Sequence, residues 1–250
     1  MKIKEKMTDF GFSYVKKSKK NSMIEDIFNN VSYKYDLMND IMSFGVHRIW
    51  KNILVYCNST NPDQKILDLA SGTGDITKRL SKLINKKGFI VSLDINRKML
   101  KICRKKIRNS GTIRNIFYIQ ANSEYLPFKK NIFDSVIVSF GFRNFTEKKK
   151  QLSSIFNVLK PGGKLLILEF SKPLFEFLKK IYDIYSFYCI PKMGNIISGN
   201  YYSYKYLVES IKIHPSQKKL NKILSESEFC NSEYINISGG IVAIHRCYKF

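Results

Sequence analysis

Between residues 65 and 170 the chain alternates short apolar runs with helical stretches, and this restricts the possible fold more than any other feature. Five such runs occur: residues 65–70 (KILDLA), 89–94 (FIVSLD), 115–121 (NIFYIQA), 133–140 (FDSVIVSF), and KLLILEF, opened by the turn Lys160, Pro161, Gly162, Gly163. They are too short for helices and almost continuously apolar, as strands buried on both faces are. Helical sequences separate them: ITKRLSKLI, residues 96–108, and a stretch ending near Leu159. The alternation predicts βαβ units and a parallel sheet. The tail adds strand patterns at 232–237 and 241–249, joined by the hairpin-like Gly239 and Gly240. The expected fold is therefore α/β: a mostly parallel seven-stranded sheet with an antiparallel C-terminal strand and helices on both faces.

The chain before this alternation, and an insert after it, differ in character. Residues 1–22 are polar and basic and are expected to be loosely ordered. Residues 23–58 read as helical, with Met23, Ile24, Ile27 and Phe28 at helical spacing. The expected organisation is a basic segment and N-terminal helical cap over 1–58, then one domain over 59–250. That domain carries a helical, aromatic-rich insert at about 173–213, which includes Phe175, Leu178, Tyr182, Tyr185, Tyr201, Tyr202, Tyr204 and Tyr206.

Composition excludes several classes. With 44% hydrophobic and 14% aromatic residues the chain can bury a sizeable core, so global disorder is excluded. No stretch approaches about 18 uninterrupted apolar residues, and the basic start has no apolar region behind it; neither a spanning helix nor a secretory leader is expected. Five scattered cysteines without CxxC, and dispersed His47, His214 and His245, predict a reduced cytoplasmic setting without disulfides or a metal site. The net charge of +23 has two readings. One is attraction to a polyanion, either nucleic acid or an anionic membrane surface. The other is compositional drift, favoured by 35 Lys against 8 Arg beside 20 Asn, since phosphate-binding faces lean on Arg. A nucleic-acid partner would call for clustered Arg with exposed aromatics, and the sequence has none.

The most informative segment is Asp68-Leu69-Ala70-Ser71-Gly72-Thr73-Gly74-Asp75, between a strand and a helix. Its glycines allow a tight bend and close approach of a ligand, at the sheet edge where such ligands bind. Thr77 stands where a dinucleotide fingerprint needs its third glycine, and Asp75 where a P-loop needs lysine. Asp68 and Asp75 are expected to disfavour phosphate and attract a cation. A cationic, phosphate-free ligand such as S-adenosylmethionine fits, with Asp94 at the next strand end placed for ribose hydroxyls. The plainer alternative for Asp94 is a helix N-terminal carboxylate ahead of Arg97.

Asp68 to Asp75 resembles the first motif of class I S-adenosylmethionine-dependent methyltransferases, which are Rossmann-like. More narrowly, the chain resembles the ubiquinone/menaquinone biosynthesis C-methyltransferases (the UbiE family) in KYDLMND (34–40), MSFGVHRIWK (42–51), LDLASGTGD (67–75), QANSEYLPF (120–128), SFGFRNF (139–145), LKPGGKLLILEFSKP (159–173), SYKYLVESI (203–211) and the terminal HRCYKF. Ser71 departs from the family's usual Gly, and Ser123 from its usual Ala. Ser71 is tolerable if its φ stays negative.

The resemblance implies S-adenosylmethionine as methyl donor and C-methylation of a polyprenylated quinol ring, benzoquinol or naphthoquinol, by an enzyme of menaquinone or ubiquinone biosynthesis. It implies cofactor contacts at Asp68, Gly72 and Gly74, with Thr73 in the loop under the methionine end, Asp94 on the ribose, Asn122 and Ser123 at the adenine, and Ser139 beside the cofactor and the methyl path. Quinol C-methylation needs a phenolate partner and a route for protons, with no metal. Arg143 is assigned to the phenolate with a water as the immediate base, Asn144 to a ring oxygen, and Tyr35 of the cap to a further hydrogen bond. The bland alternatives are an Arg143 pair with Glu147, a core Tyr35, strand capping by Asn122 and Ser123, and sheet packing by Ser139. The insert is expected to wall the prenyl tail, with a plain core stripe as the alternative. The partner expectations are the quinol, peripheral contact with the inner face of a membrane, a homodimer or a quinone-biosynthesis complex, and no nucleic acid.

Overall fold

A computed structural model of the protein describes residues 6–111 and 115–250, so the first five residues of the basic start lie outside it. In chain order the elements are β1 (Met7–Phe10), β2 (Ser13–Lys16), α1 (Lys17–Val31), α2 (Tyr35–Ser43), α3 (His47–Cys57), β3 (Lys65–Leu69), α4 (Asp75–Leu80), β4 (Phe89–Asp94), α5 (Arg97–Asn109), β5 (Ile116–Gln120), β6 (Phe133–Ser139), α6 (Lys148–Val158), β7 (Leu159–Phe170), α7 (Glu176–Ile184), α8 (Ile190–Ser198), α9 (Tyr201–Ile213), α10 (Gln217–Ser225), β8 (Cys230–Ile237) and β9 (Val242–Tyr248).

The main sheet has seven strands in the order β5-β4-β3-β6-β7-β9-β8. Every neighbouring pair from β5 to β7 is parallel, and β9 runs antiparallel to both β7 and β8. The expected Rossmann-like sheet with one antiparallel C-terminal strand is therefore what forms. The chain winds outward from β3 to β5, then returns to β6 on the other side of β3. That reversal opens a crevice beyond the carboxyl ends of β3 and β6, where ligands of such sheets bind.

The period-2 alternation of strand side chains feeds a core on each face. Leu67, Leu69, Val136 and Val138 pack against Leu152 and Ile155 of α6 and Leu220 and Leu224 of α10. On the other face Ile66, Ile137, Leu166 and Leu168 pack against Trp50 and Leu54 of α3 and Ile76 and Leu80 of α4. Each fully buried aliphatic side chain contributes roughly 1.5–3 kcal/mol, so these two layers outweigh any single polar contact. The Lys160–Gly163 turn lies inside the bounds of β7. The partner of β6 jumps there from Leu159 at Phe133 to Lys164 at Ser135, and the intervening residues loop out.

One expectation is corrected. Residues 7–16 form the antiparallel hairpin β1–β2, and α1 begins at Lys17 rather than at residue 23. The hairpin is fixed from a distance: Phe10 stacks on Tyr206 with ring centroids 4.4 Å apart, and Phe12 N–H donates to Glu209 Oε2 at 3.1 Å. In the insert, α7 runs through a π-helical turn (Tyr185–Cys189) into α8. Together with α2, α8 and α9 close a third cluster around Val31, Met38, Ile190, Tyr204 and Val208. The cap and the insert are thus one layer over the crevice.

Candidate functional site

The bend after β3 alternates left-handed and ordinary backbone. Ala70 (φ 56°), Gly72 (φ 54°) and Gly74 (φ 80°) are left-handed; Ser71 is not, as a serine there requires. Ser71 N–H donates to Leu93 O at 3.0 Å and Ser92 Oγ donates to Ser71 Oγ at 2.8 Å, which ties the bend to β4. Asp94 completes the tie, accepting from Gly72 N–H and Asn96 N–H at 2.8 Å each. Burial pushes its carboxyl above the usual range, against the pull of these backbone donors.

Beyond the bend lies a cavity of about 760 Å³, lined by Gly72, Asp94, Asn122, Ser123, Ser139 and Asn144, among others. It brings together five of the eight expected cofactor residues. The other three lie behind its wall. Asp68 accepts from Thr77 N–H at 2.9 Å and Thr77 Oγ1 at 2.5 Å, and burial pushes its carboxyl up to about 7. Gly74 is needed for packing, because a Cβ there would collide with Cys103 Sγ of α5. Thr73 Oγ1 donates to Asp36 of α2 at 2.6 Å.

Contrary to expectation, Asp75 is not a free carboxylate facing a ligand. Asp75 is desolvated, but Lys51 and Lys106 more than offset that and hold its carboxyl well below the usual range. Its oxygens lie 2.6 Å and 2.7 Å from those two ammonium groups. Lys106 also bridges Asp36 at 2.6 Å. Neither Asp68 nor Asp75 offers free charge to the cavity. The cavity wall carries the Asp94 carboxylate and no Lys or Arg among the described residues, so a phosphate there would meet no countercharge.

Two buried polar atoms of this wall, Ser139 Oγ and Gln151 Oε1, have no partner among the described residues. Such atoms cost free energy unless a ligand completes them. Gln151 is a residue the sequence reading missed; its Nε2 also holds Ser123 Oγ at 2.8 Å. With Ile95 and Met99 as apolar flanks, the residues fit a phosphate-free nucleoside.

A second cavity, of about 990 Å³, adjoins the first, and Phe28, Tyr35 and Phe140 line both. Phe140 takes a left-handed backbone (φ 56°), a conformation that bulky residues adopt only where the surrounding fold imposes it. Four of the eight insert residues named from the sequence, Tyr182, Tyr185, Tyr204 and Tyr206, wall this cavity, whereas Phe175, Tyr201 and Tyr202 are exposed.

Arg143 enters this second cavity from the turn after β6. It does not pair with Glu147, which binds Lys17 instead. Its partner is Glu169 of β7, 1% exposed: Nη1 donates to Oε1 at 3.0 Å and the Arg143 N–H to Oε2 at 3.1 Å. Nη1 also donates to Phe140 O, and Nε to Ser210 Oγ at 3.3 Å. Nη2 has no protein partner among the described residues. Asn144 faces the first cavity instead, its Oδ1 accepting from Tyr206 OH at 3.1 Å. Tyr35 stands at the junction; burial raises its phenol, against the pull of Arg143.

The family model described as the ubiE/COQ5 methyltransferase family matches residues 15–249. The chain is 51% identical over 243 residues to the ubiquinone/menaquinone biosynthesis C-methyltransferase UbiE of Yersinia pestis, covering 97% of each protein. Among solved structures, a possible histamine N-methyltransferase from Thermotoga maritima superposes with TM-score 0.63 at 16% identity, over 90% of this chain and 99% of that one. A SAM-dependent methyltransferase from Aquifex aeolicus gives 0.59 at 16% identity, over 80% and 89%. At those identities the structural matches speak for the fold alone.

Proposed function

The chain belongs to the ubiE/COQ5 methyltransferase family, and from that premise we infer that it carries the methyl group of S-adenosylmethionine to a ring carbon of a polyprenylated quinol in ubiquinone or menaquinone biosynthesis. The observation that carries this reading is the pair of joined cavities. One bears the Asp94 carboxylate with amide and hydroxyl groups and no Lys or Arg among the described residues; the other is aromatic, with the Arg143 guanidinium in its wall. When bound, S-adenosylmethionine supplies a methyl carbon made electrophilic by its sulfonium.

The chain's own residues do the rest. Asp94 accepts the ribose hydroxyls, Asn122 and Ser123 take the adenine edge, and Ser139 borders the methyl path. Gly72 keeps the bend open, since no heavy atom lies within 4 Å of where its Cβ would stand. Thr73, Gly74 and Asp68 act from behind the wall by fixing the bend to α2, α5 and α4. Arg143 offers its Nη2 hydrogens to the phenolate oxygen, so that charge developing on the ring is met by a preorganised donor. Asn144 and Tyr35 orient the ring at the junction. Residues 1–58 then serve as the cap and 59–250 as the catalytic domain, with the insert walling the prenyl tail. The direct test gives the purified protein isotope-labelled donor and a quinol lacking the ring methyl. Product heavier by one labelled methyl is expected; no methylated quinol would overturn the reading.

The acceptor's tail resides in lipid, and the same reading places a membrane contact on the insert. What supports it is an exposed stripe, Phe177, Ile181, Ile184 and Tyr188, at one-face helical spacing. Tyr182 and Tyr185 on the same segment line the acceptor cavity. Exposed Lys179, Lys180 and Lys192 flank the stripe, and the chain carries +23 overall, which suits an anionic surface. No described helix is long and apolar enough to cross a membrane. Phe177→Glu with Ile181→Glu should weaken binding to phosphatidylglycerol vesicles by about tenfold or more, read by co-sedimentation. Wild-type protein left in the supernatant at low salt would remove the contact.

A further inference from the structure

We propose that His47 is the proton acceptor for the quinol hydroxyl. The proposal deepens the quinol reading above and rests on it. His47 opens α3, is 6% exposed and lines the acceptor cavity. Its Nε2 lies 2.8 Å from Asp40 Oδ1. Arg48 grips that carboxylate with both ends of its fork, Nε to Oδ1 at 2.7 Å and Nη2 to Oδ2 at 2.6 Å. Held ionised in this way, Asp40 can only accept, so Nε2 carries the ring proton and Nδ1 carries the lone pair. Nδ1 is buried and has no partner among the described residues.

Elimination points the same way. No Asp or Glu lines this cavity among the described residues. Arg143 keeps its proton. Lys51 donates to Asp75 at 2.6 Å. Burial raises the phenols of Tyr35, Tyr182, Tyr185, Tyr204 and Tyr206, so they stay protonated. His47 is the one described lining group with a free basic lone pair. The charged groups around it are Asp40 on α2, Arg48 and Lys51 on α3, and Asp75 on α4, with Arg143 across the cavity. Burial and Lys51 hold the imidazole below its ordinary value, against the opposite pull of Asp40 and Asp75, so it is neutral near pH 7.

The step balances. The substrate O–H bond breaks and an Nδ1–H bond forms; the electron pair stays on oxygen as the phenolate that Arg143 faces. The ring carbon forms a bond to the methyl group as the methyl–sulfur bond breaks with its electron pair left on sulfur as a neutral thioether, and the ring C–H proton leaves to water as the ring regains aromaticity. The imidazolium, stabilised meanwhile by Asp40, returns its proton to the ring oxygen. One proton reaches solvent per methyl transferred. On this proposal His47, and not a water, is the immediate base.

The test has three arms. Nitrogen-15 NMR of histidine-labelled wild-type protein near pH 7 should show Nδ1 unprotonated and Nε2 protonated; the reverse tautomer would overturn the proposal without any assay of turnover. The wild-type pH profile of kcat/KM for the quinol should fall on the acid side with a midpoint below about 6.5, because protonation removes the lone pair; a flat profile there would count against it. His47→Gln should lower kcat by about 10²–10⁴-fold and lose that acid limb, with donor affinity by calorimetry within about threefold of wild type. His47→Ala should be partly rescued by added imidazole. Near-wild-type kcat in both variants excludes His47 while sparing the quinol reading, and a wild-type protein that methylates no quinol defeats both.

Discussion

Arg143→Ala is expected to lower turnover by about 10³-fold, the scale measured when a preorganised donor to a developing oxyanion is removed. The loss should fall on kcat, read in single turnovers at saturating donor. Calorimetric affinity for S-adenosylmethionine should stay within about threefold, because Arg143 lines the acceptor cavity and not the donor one. Turnover within about tenfold of wild type would take Arg143 out of the chemistry. Arg143→Lys is a poor rescue, since an ammonium cannot reproduce the fork that meets Glu169, Phe140 O and Ser210.

Glu169→Gln should produce the largest loss of stability. Three donors converge on this carboxylate: Arg143 N–H, Arg143 Nη1 and Phe170 N–H, the last at 3.0 Å. Glutamine offers one oxygen where two are used, turns an amide N–H₂ toward a donor, and leaves a buried guanidinium uncompensated. Removing one partner of such a pair costs about 3–5 kcal/mol, against a total stability of about 5–15 kcal/mol. For a chain of this length the melting temperature should drop by about 6–20 °C. A fall under about 2 °C would show that the charge is not held by this contact. The double variant Arg143→Met with Glu169→Met should recover most of the lost stability while remaining inactive, which separates the pair's two roles.

The parallel sheet was plain in the sequence because strands buried on both faces leave unbroken apolar runs. FIVSLD coincides with β4 residue for residue. The hairpin at residues 7–16 was not, since its stability comes from Tyr206 and Glu209, almost two hundred residues away. The glycine bend and Asp94 were legible because backbone geometry demands particular residues there. The partners of charged groups were not. Glu147 is four residues from Arg143, yet Glu169 holds it, through a strand pairing no local pattern records. Asp75 read as a free carboxylate because Lys51 and Lys106 sit on other helices. His47 lies in MSFGVHRIWK, where no local pattern sets it apart; the Asp40 contact and an Nδ1 without a partner among the described residues distinguish it from a packed histidine.

The chain of polar contacts from Asp36 through Thr73, Lys106 and Asp75 to Lys51 fastens α2 and α3 to the glycine bend. Those helices, with α1, supply Asn21, Ile24 and Phe28 to the wall of the first cavity and Asn39, His47 and Trp50 to that of the second. Phe28 of α1 and Tyr35 of α2 line both chambers. A displacement of these shared cap residues would therefore alter both chambers together.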